Sequence, residues 1–238
     1  MWGWRARIGF IVVASELVQE HDMFRMAPKG VSVHFTRKPF RQPWTVQDLV
    51  LLSQDLGDYV QLLTPVNPDV IVFGDTSASF VGGPGYDQSI IESMKRVCDV
   101  KATTTASSVV AAMRALGLKR ISVLSPYKHE VNERLVRFFE GNGFKILKMK
   151  ELELDLDAEI TAVPPERIYQ YAREADVPKA EGLFITCTGL RGLDAIEDLE
   201  PDLGKPVVTS NQATMWNSLR MAGIKDKIEG YGQLFKRF

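Results

Sequence analysis

The sequence predicts an α/β protein of two pseudo-symmetric lobes, each a parallel sheet flanked by helices, with the active site in the cleft between them. Three observations lead there. Short runs of consecutive apolar residues alternate with longer amphipathic segments, the pattern of strands covered on both faces by helices. The chain also repeats itself. "TTTASSVVAAMRALGLK" (103–119) resembles "VVTSNQATMWNSLRMAGIK" (207–225), each running from a small-residue strand end into a helix closed by Arg, Ala and Gly, an aliphatic residue and Lys. Finally, 238 residues suffice for one large domain or two smaller lobes with a sizeable core.

Taken in order, the strands are expected at 7–13 ("RIGFIVV"), 69–74 ("DVIVFG"), 120–124 ("RISVL"), 182–186 ("GLFIT") and 206–209 ("PVVT"). The N-terminal stretch places two arginines before an apolar run, as a signal peptide does. That run, 8–14, is short, β-branched and followed by Glu16 and Glu20, which fits a first buried strand better. Helical patterns fall at 45–62, 88–97, 107–115, 130–142, 165–175 and 212–222. Gly117, Gly143 and Gly223 stand just past three of them, where C-caps are expected. The lobes are expected to comprise residues 1–115 with 215–238, and residues 116–214. The ends "FGDTSAS" and "ITCTGLR" are expected after the first strand of each half. The proline-punctuated, basic and aromatic segment 26–44 reads as a loop, which either closes over the cleft or is a surface connection.

Composition narrows the function classes. Apolar content of 45%, charged content of 25% and a net charge of -1 are those of an ordinary globular protein. They give no reason to expect nucleic acid or an anionic membrane as partner, and no segment approaches the length of a membrane span. The histidines, His21, His34 and His129, do not sit at metal-ligand spacing with cysteines, so no zinc site is expected. Two isolated cysteines, Cys98 and Cys187, fit a reducing cytoplasm rather than a disulfide framework.

Parallel sheets bind ligands where strand carboxyl ends turn into helices. Those loops here (14–20, 75–80, 125–130, 187–191 and 210–212) are rich in Ser, Thr, Asn and Gly, which suits a carboxylate held by N–H and hydroxyl donors. Neither phosphate-binding glycine signature occurs at a strand–helix turn. Cys187 ends an apolar run, and a thiol there, beside a helix N-terminus, can have a lowered pKa and act as acid, base or nucleophile. The alternative is a small buried hydrophobe, which is the reading for Cys98. Asp75 ends the equivalent strand and is either a proton-exchanging carboxylate or a helix cap. Thr76, Ser77 and Ser79 offer oxyanion donors or simple N-caps, and Tyr127 offers a phenol to a carboxylate or lines a lobe interface. Glu16 and Glu20 read as first-turn helix residues, and His21 and His129 as surface or capping residues.

Five ordered segments, "GDTSASF" (74–80), "SPYKHEVNERL" (125–135), "TCTGL" (186–190), "VVTSNQATMW" (207–216) and "GYGQLF" (230–235), resemble the aspartate/glutamate racemase superfamily. Within it the resemblance is to the branch of arylmalonate decarboxylase and maleate cis–trans isomerase. It implies two Rossmann-like lobes and a cofactor-free, metal-free site in the cleft. It implies Cys187 as the proton carrier, with Asp75 where racemases place a first cysteine and the decarboxylases a glycine. It implies Thr76, Ser77, Tyr127, Thr188 and Gly189 as the groups holding a substrate carboxylate and its enediolate. The turn Val13-Ala-Ser-Glu16 departs from the asparagine-bearing turn of the isomerases, so Glu16 is expected near a substrate carboxylate. With Asp75 it favours a substrate bearing an amino or other cationic group, unless one of the two acids is protonated. The resulting expectation is a decarboxylase acting on a small carboxylic acid of malonate type. Racemisation by Asp75 and Cys187, isomerisation, and a non-catalytic carboxylate binder are the alternatives. A homo-oligomer is compatible with the sequence.

Overall fold

A computed structural model describes residues 2–238. The chain enters its first sheet with β1 (Ala6–Val13), where Ile8, Phe10, Ile11 and Val12 are all buried. After helix α1 (Gln19–Met26) it returns as β2 (Val31–Lys38), parallel to β1. Helices α2 (Val46–Leu52) and α3 (Gly57–Leu63) lead to β3 (Val70–Phe73), buried along its whole length. The short α4 (Ser77–Phe80) and α5 (Tyr86–Lys95) precede β4 (Lys101–Thr104) and α6 (Thr105–Ala115).

The second half repeats the plan with β5 (Arg120–Ser125), α7 (His129–Gly141) and β6 (Lys145–Glu151). Helices α8 (Asp157–Ala162) and α9 (Pro165–Ala175) lead to the buried β7 (Gly182–Ile185). Then come α10 (Ile196–Leu203), β8 (Val207–Thr209), α11 (Ser210–Met221) and α12 (Gly232–Arg237). The sheet orders are β2-β1-β3-β4 and β6-β5-β7-β8, every neighbouring pair parallel. Strand for strand they correspond, so the repeat read in the sequence is a repeat of topology.

The two repeated helices start and stop alike because they carry the same local signals. Thr104 Oγ1 accepts from the Ser107 amide at 3.1 Å, and Thr209 Oγ1 from the Gln212 amide at 3.1 Å. Gly117 and Gly223 follow them at φ of +73° and +81°, a conformation costly for any residue with a Cβ. Helices α6 and α11 pack on each other and join the lobes.

Several expectations change. The segment 26–44 contains the edge strand β2 and is not wholly loop, and β4 and β6 are further strands. The predicted helix 45–62 is two helices, parted where Asp55 takes a φ of +50°. The two strand-end motifs follow β3 and β7, the third strand of each half rather than the first. No helix among the described residues is long and apolar enough to cross a membrane.

Candidate active site

The carboxyl ends of β1, β3, β5 and β7 meet across one narrow cavity. Its walls include Ser15 and Glu16 from β1, Asp75 and Ser77 from β3, Tyr127 from β5, and Cys187, Thr188 and Gly189 from β7. Phe40, Trp44, Leu49, Ile160 and Asp157 close it from above. The free volume is about 30 Å³, room for one or two waters. A substrate enters only when these walls part.

Cys187 sits at the rim of β7 with a φ of +85°, a conformation that costs a non-glycine residue on the order of 1–2 kcal/mol. Cys187 is half-buried, and part of its surface borders the narrow cavity. Burial pushes its pKa well above the ordinary thiol range; the Gly189 amide opposes this and the Glu16 charge adds to it. The expected lowering of the thiol pKa is therefore reversed. No helix starts directly behind Cys187, whose chain continues through a turn to a short 3-10 segment at Gly192–Ala195, and desolvation dominates. At rest the sulfur carries its proton.

Asp75 is 8% exposed, and burial pushes its pKa up to about 7 against the opposing bond from the Ala78 amide. Its Oδ1 accepts from that amide at 2.7 Å and from Ser77 Oγ at 3.2 Å, so it does cap α4. Oδ2 has no protein donor among the described residues and remains for a ligand. Thr76 lies next to the site but its Oγ1 donates to Ser210 Oγ at 3.0 Å, away from the cavity lining. Tyr127 is 1% exposed and wedged edge-on against Trp44 and Phe80; its Oη lies beside the Cys187 and Thr186 side chains but makes no well-formed hydrogen bond among the described residues. A buried phenol without an acceptor is costly and suits a ligand oxygen.

Glu16 lines the cavity, and its oxygens are bonded within the protein. Oε1 accepts from the Val18 and Gln19 amides at 2.7 and 2.9 Å, and Oε2 from Thr188 Oγ1 at 2.8 Å. Both oxygens are used by the protein, and so is the Thr188 hydroxyl. Glu16 is thus a first-lobe anchor for the turn after Cys187. Glu20 pairs with Arg37, and His129 is exposed beside Glu151.

Sequence reasoning missed Asp157, which lines the cavity from α8. Its Oδ2 accepts from Gln42 Nε2 at 2.7 Å and from Ser15 Oγ, linking the segment 40–44 to both lobes. The only signal for it was the basic aromatic loop, whose Phe40, Gln42 and Trp44 do reach the cleft. Among the described residues no three His, Cys, Asp or Glu side chains are set to hold a metal ion.

The family model for arylmalonate decarboxylase matches residues 53–235. The chain belongs to the arylmalonate decarboxylase family. It is 31% identical to the arylmalonate decarboxylase of Bordetella bronchiseptica over 186 residues, 76% of this chain and 77% of that one. It is 26% identical to a maleate isomerase of Nocardia farcinica over 240 residues, 97% and 96% of the two chains. A solved arylmalonate decarboxylase double mutant in its liganded form superposes with a TM-score of 0.89 at 27% identity, covering 98% of this chain and all of that one. The Nocardia isomerase, solved with a covalently bound succinylcysteine intermediate, shares the fold with a TM-score of 0.92, 24% identity and coverage of 98% and 99%. Both enzymes of the predicted branch are thus relatives, and the fold is theirs.

Proposed function

We propose that the chain is a cofactor-independent enzyme that acts on the carbon next to a carboxylate, most simply as a decarboxylase of a malonate-type acid. The observation that carries this reading is a thiol held protonated, at a strained backbone position, in a narrow cavity beside a buried phenol that has no well-formed hydrogen bond among the described residues. One substrate carboxylate binds to Tyr127 Oη, Ser77 and the turn at Thr188–Gly189. The C–C bond to the second carboxylate breaks, carbon dioxide leaves, and its electron pair forms the enediolate of the first. Preorganised donors of this kind are each worth on the order of 3 kcal/mol. Cys187 then passes its proton to the carbon, and the thiolate is reprotonated from solvent.

A second reading is favoured by the charges. Glu16, Asp75 and Asp157 line the cavity and among the described residues no lysine, arginine or histidine does, so a dianionic malonate enters against Glu16, Asp157 and a partly ionised Asp75. A substrate with an ammonium group beside its carboxylate brings the missing charge. Asp75 Oδ2 and Asp157 Oδ1 are the free oxygens that receive it, and Asp75 then faces Cys187 as a second acid–base group, as racemisation requires. Isomerisation of a maleate-type double bond is third, because a carboxylate such as Asp75 is a poor nucleophile towards an alkene.

Free Cys98 and Cys187 support a reducing, cytoplasmic setting. The test is turnover by the purified protein of paired substrates: phenylmalonate, aminomalonate, phenylglycine and maleate, each with wild type and Cys187→Ala. Carbon dioxide release from the malonates that Cys187→Ala abolishes supports decarboxylation. Loss of optical activity of phenylglycine alone selects the racemase. Absence of turnover with all four leaves a carboxylate binder.

A further inference from the structure

The strained position of Cys187 must be imposed from outside, because its own backbone disfavours it. Two groups converge on the next residue to do so. Thr188 Oγ1 is tied to Glu16, as described, and the Thr188 carbonyl accepts from Asn211 Nδ2 at 2.9 Å. The same Nδ2 donates to Asp22 Oδ2 at 2.8 Å. Asn211 is 2% exposed and Asp22 3% exposed, and neither lines the cavity. Asn211 comes from the start of α11, after the second sheet, and Asp22 from α1, after the first strand of the first sheet.

This arrangement is expensive as packing alone. Asp22 is a buried carboxylate, and burial pushes its pKa up to about 7 despite the Asn211 bond and the Arg25 charge 3.8 Å away. Asn211 commits both of its bonds to Thr188 and Asp22 and leaves its own buried Oδ1 without a donor. Turning the amide over would place that oxygen against two acceptors. A core filled by apolar side chains would avoid all of these costs. What the network supplies is a fixed carbonyl direction at Thr188, and therefore a fixed left-handed turn at Cys187.

We infer that Asn211 and Asp22 are positioning residues for Cys187: Asn211, oriented by Asp22, clamps the Thr188 carbonyl so that the thiol stands at the angle from which it delivers its proton. This rests on Cys187 being the proton carrier, but the clamp itself is visible without knowing the reaction. Glu16 secures the side chain of Thr188 and Asn211 its backbone, so both lobes hold the turn.

The experiment uses full-length Asn211→Ala, Asp22→Ala and Asp22→Asn. Asparagine at 22 still offers an oxygen to Asn211, so it separates the bond from the charge. The expected result is a fall in kcat of at least tenfold for Asn211→Ala and Asp22→Ala, with KM within threefold of wild type. Asp22→Asn should restore kcat to within threefold. Iodoacetamide labelling of Cys187, read by peptide mass spectrometry, should accelerate at least tenfold in the two alanine variants while Cys98 labels at its wild-type rate. That Cys98 control separates release of one turn from general loosening, and crystal structures should show residue 187 leaving positive φ. Wild-type kcat and Cys187 labelling in folded Asn211→Ala would overturn the inference. So would a loss that appears in KM alone, or one that Asp22→Asn does not restore. If Asn211→Ala does not fold, the Asp22→Ala and Asp22→Asn pair decides by the same criteria. Should Cys187→Ala prove fully active, the proposed chemistry fails, while the labelling rates and the φ of residue 187 still decide the clamp.

Discussion

Replacing Asp75 by asparagine changes its charge without changing its shape. The amide oxygen keeps the bonds from the Ala78 amide and Ser77 Oγ, so only the ionisation is lost. Burial raises the Asp75 pKa from 3.8 to about 7, roughly 3 units, and each unit is worth about 1.4 kcal/mol. The sign is the reverse of the usual carboxylate. Below pH 4 both folded and unfolded chains hold the proton, and Asp75 has no effect on the pH dependence. Between pH 4 and 7 the unfolded chain ionises while the folded chain does not. The folded state then binds more protons, and stability falls as pH rises. Above pH 7 the loss is complete, on the order of 4 kcal/mol. Asp22 contributes a similar slope, which cancels when wild type is compared with Asp75→Asn. Urea unfolding of the two proteins from pH 4 to pH 8 should therefore show the variant gaining on wild type by about 4 kcal/mol, nearly all of it below pH 7. A stability difference that stays constant across this range would refute the desolvated, proton-holding Asp75.

Tyr127→Phe removes a hydroxyl that makes no well-formed hydrogen bond among the described residues, so thermal unfolding should shift upward or not at all. Its kcat/KM should fall between tenfold and a thousandfold, because the lost donor serves only the ligand. Glu16→Leu strips the acceptor from two amides and the Thr188 hydroxyl, and should cost about 3–5 kcal/mol by denaturant unfolding. Glu16→Gln, which keeps an oxygen for the two amides, should cost about 1–2 kcal/mol; equal losses in the two variants would deny Glu16 its anchoring role. Asp157→Asn should weaken the hold of the 40–44 segment and favour substrates without an amino group, measured as a change of at least tenfold in the ratio of kcat/KM for aminomalonate over methylmalonate.

The fold was legible where burial is two-sided. Strands β1, β3, β5 and β7 are apolar at successive positions because helices cover both faces, and that pattern survives without knowledge of the tertiary structure. Strands β2 and β6 went unread, and β4 was read only as a small-residue strand end; all three are sheet edges. Strands β2 and β6 carry basic residues among the apolar ones, as in "KILKMKE" of β6, because they reach water, and β4, "KATT", is four residues long with no apolar run. Repetition was legible because α6 and α11 need the same threonine cap and the same terminal glycine.

The site was legible in the same selective way. Asp75 and Cys187 stand out because a polar residue ends an apolar run, and such positions must point at the loops above a parallel sheet. Asp157 and Trp44 come from segments remote in sequence, and only packing of α8 and the 40–44 loop across the strand ends brings them to the cavity. The direction of the thiol shift was unreadable for a similar reason. It depends on how completely the cleft closes, whereas the sequence shows only which residue ends the strand. Glu16 was read as a possible ligand group because its partners, Thr188 above all, lie 172 residues away.

On the proposed mechanism Cys187 delivers a proton to the carbon beside a carboxylate. The most direct measurement is turnover in deuterium oxide, with mass spectrometry and proton magnetic resonance of the product or recovered substrate. Wild type should place one deuterium at the α-carbon on a single face for decarboxylation, or exchange the α-proton for racemisation, and Cys187→Ala should do neither while keeping its fold. Stereospecific α-deuteration at an unchanged rate by Cys187→Ala would contradict the account.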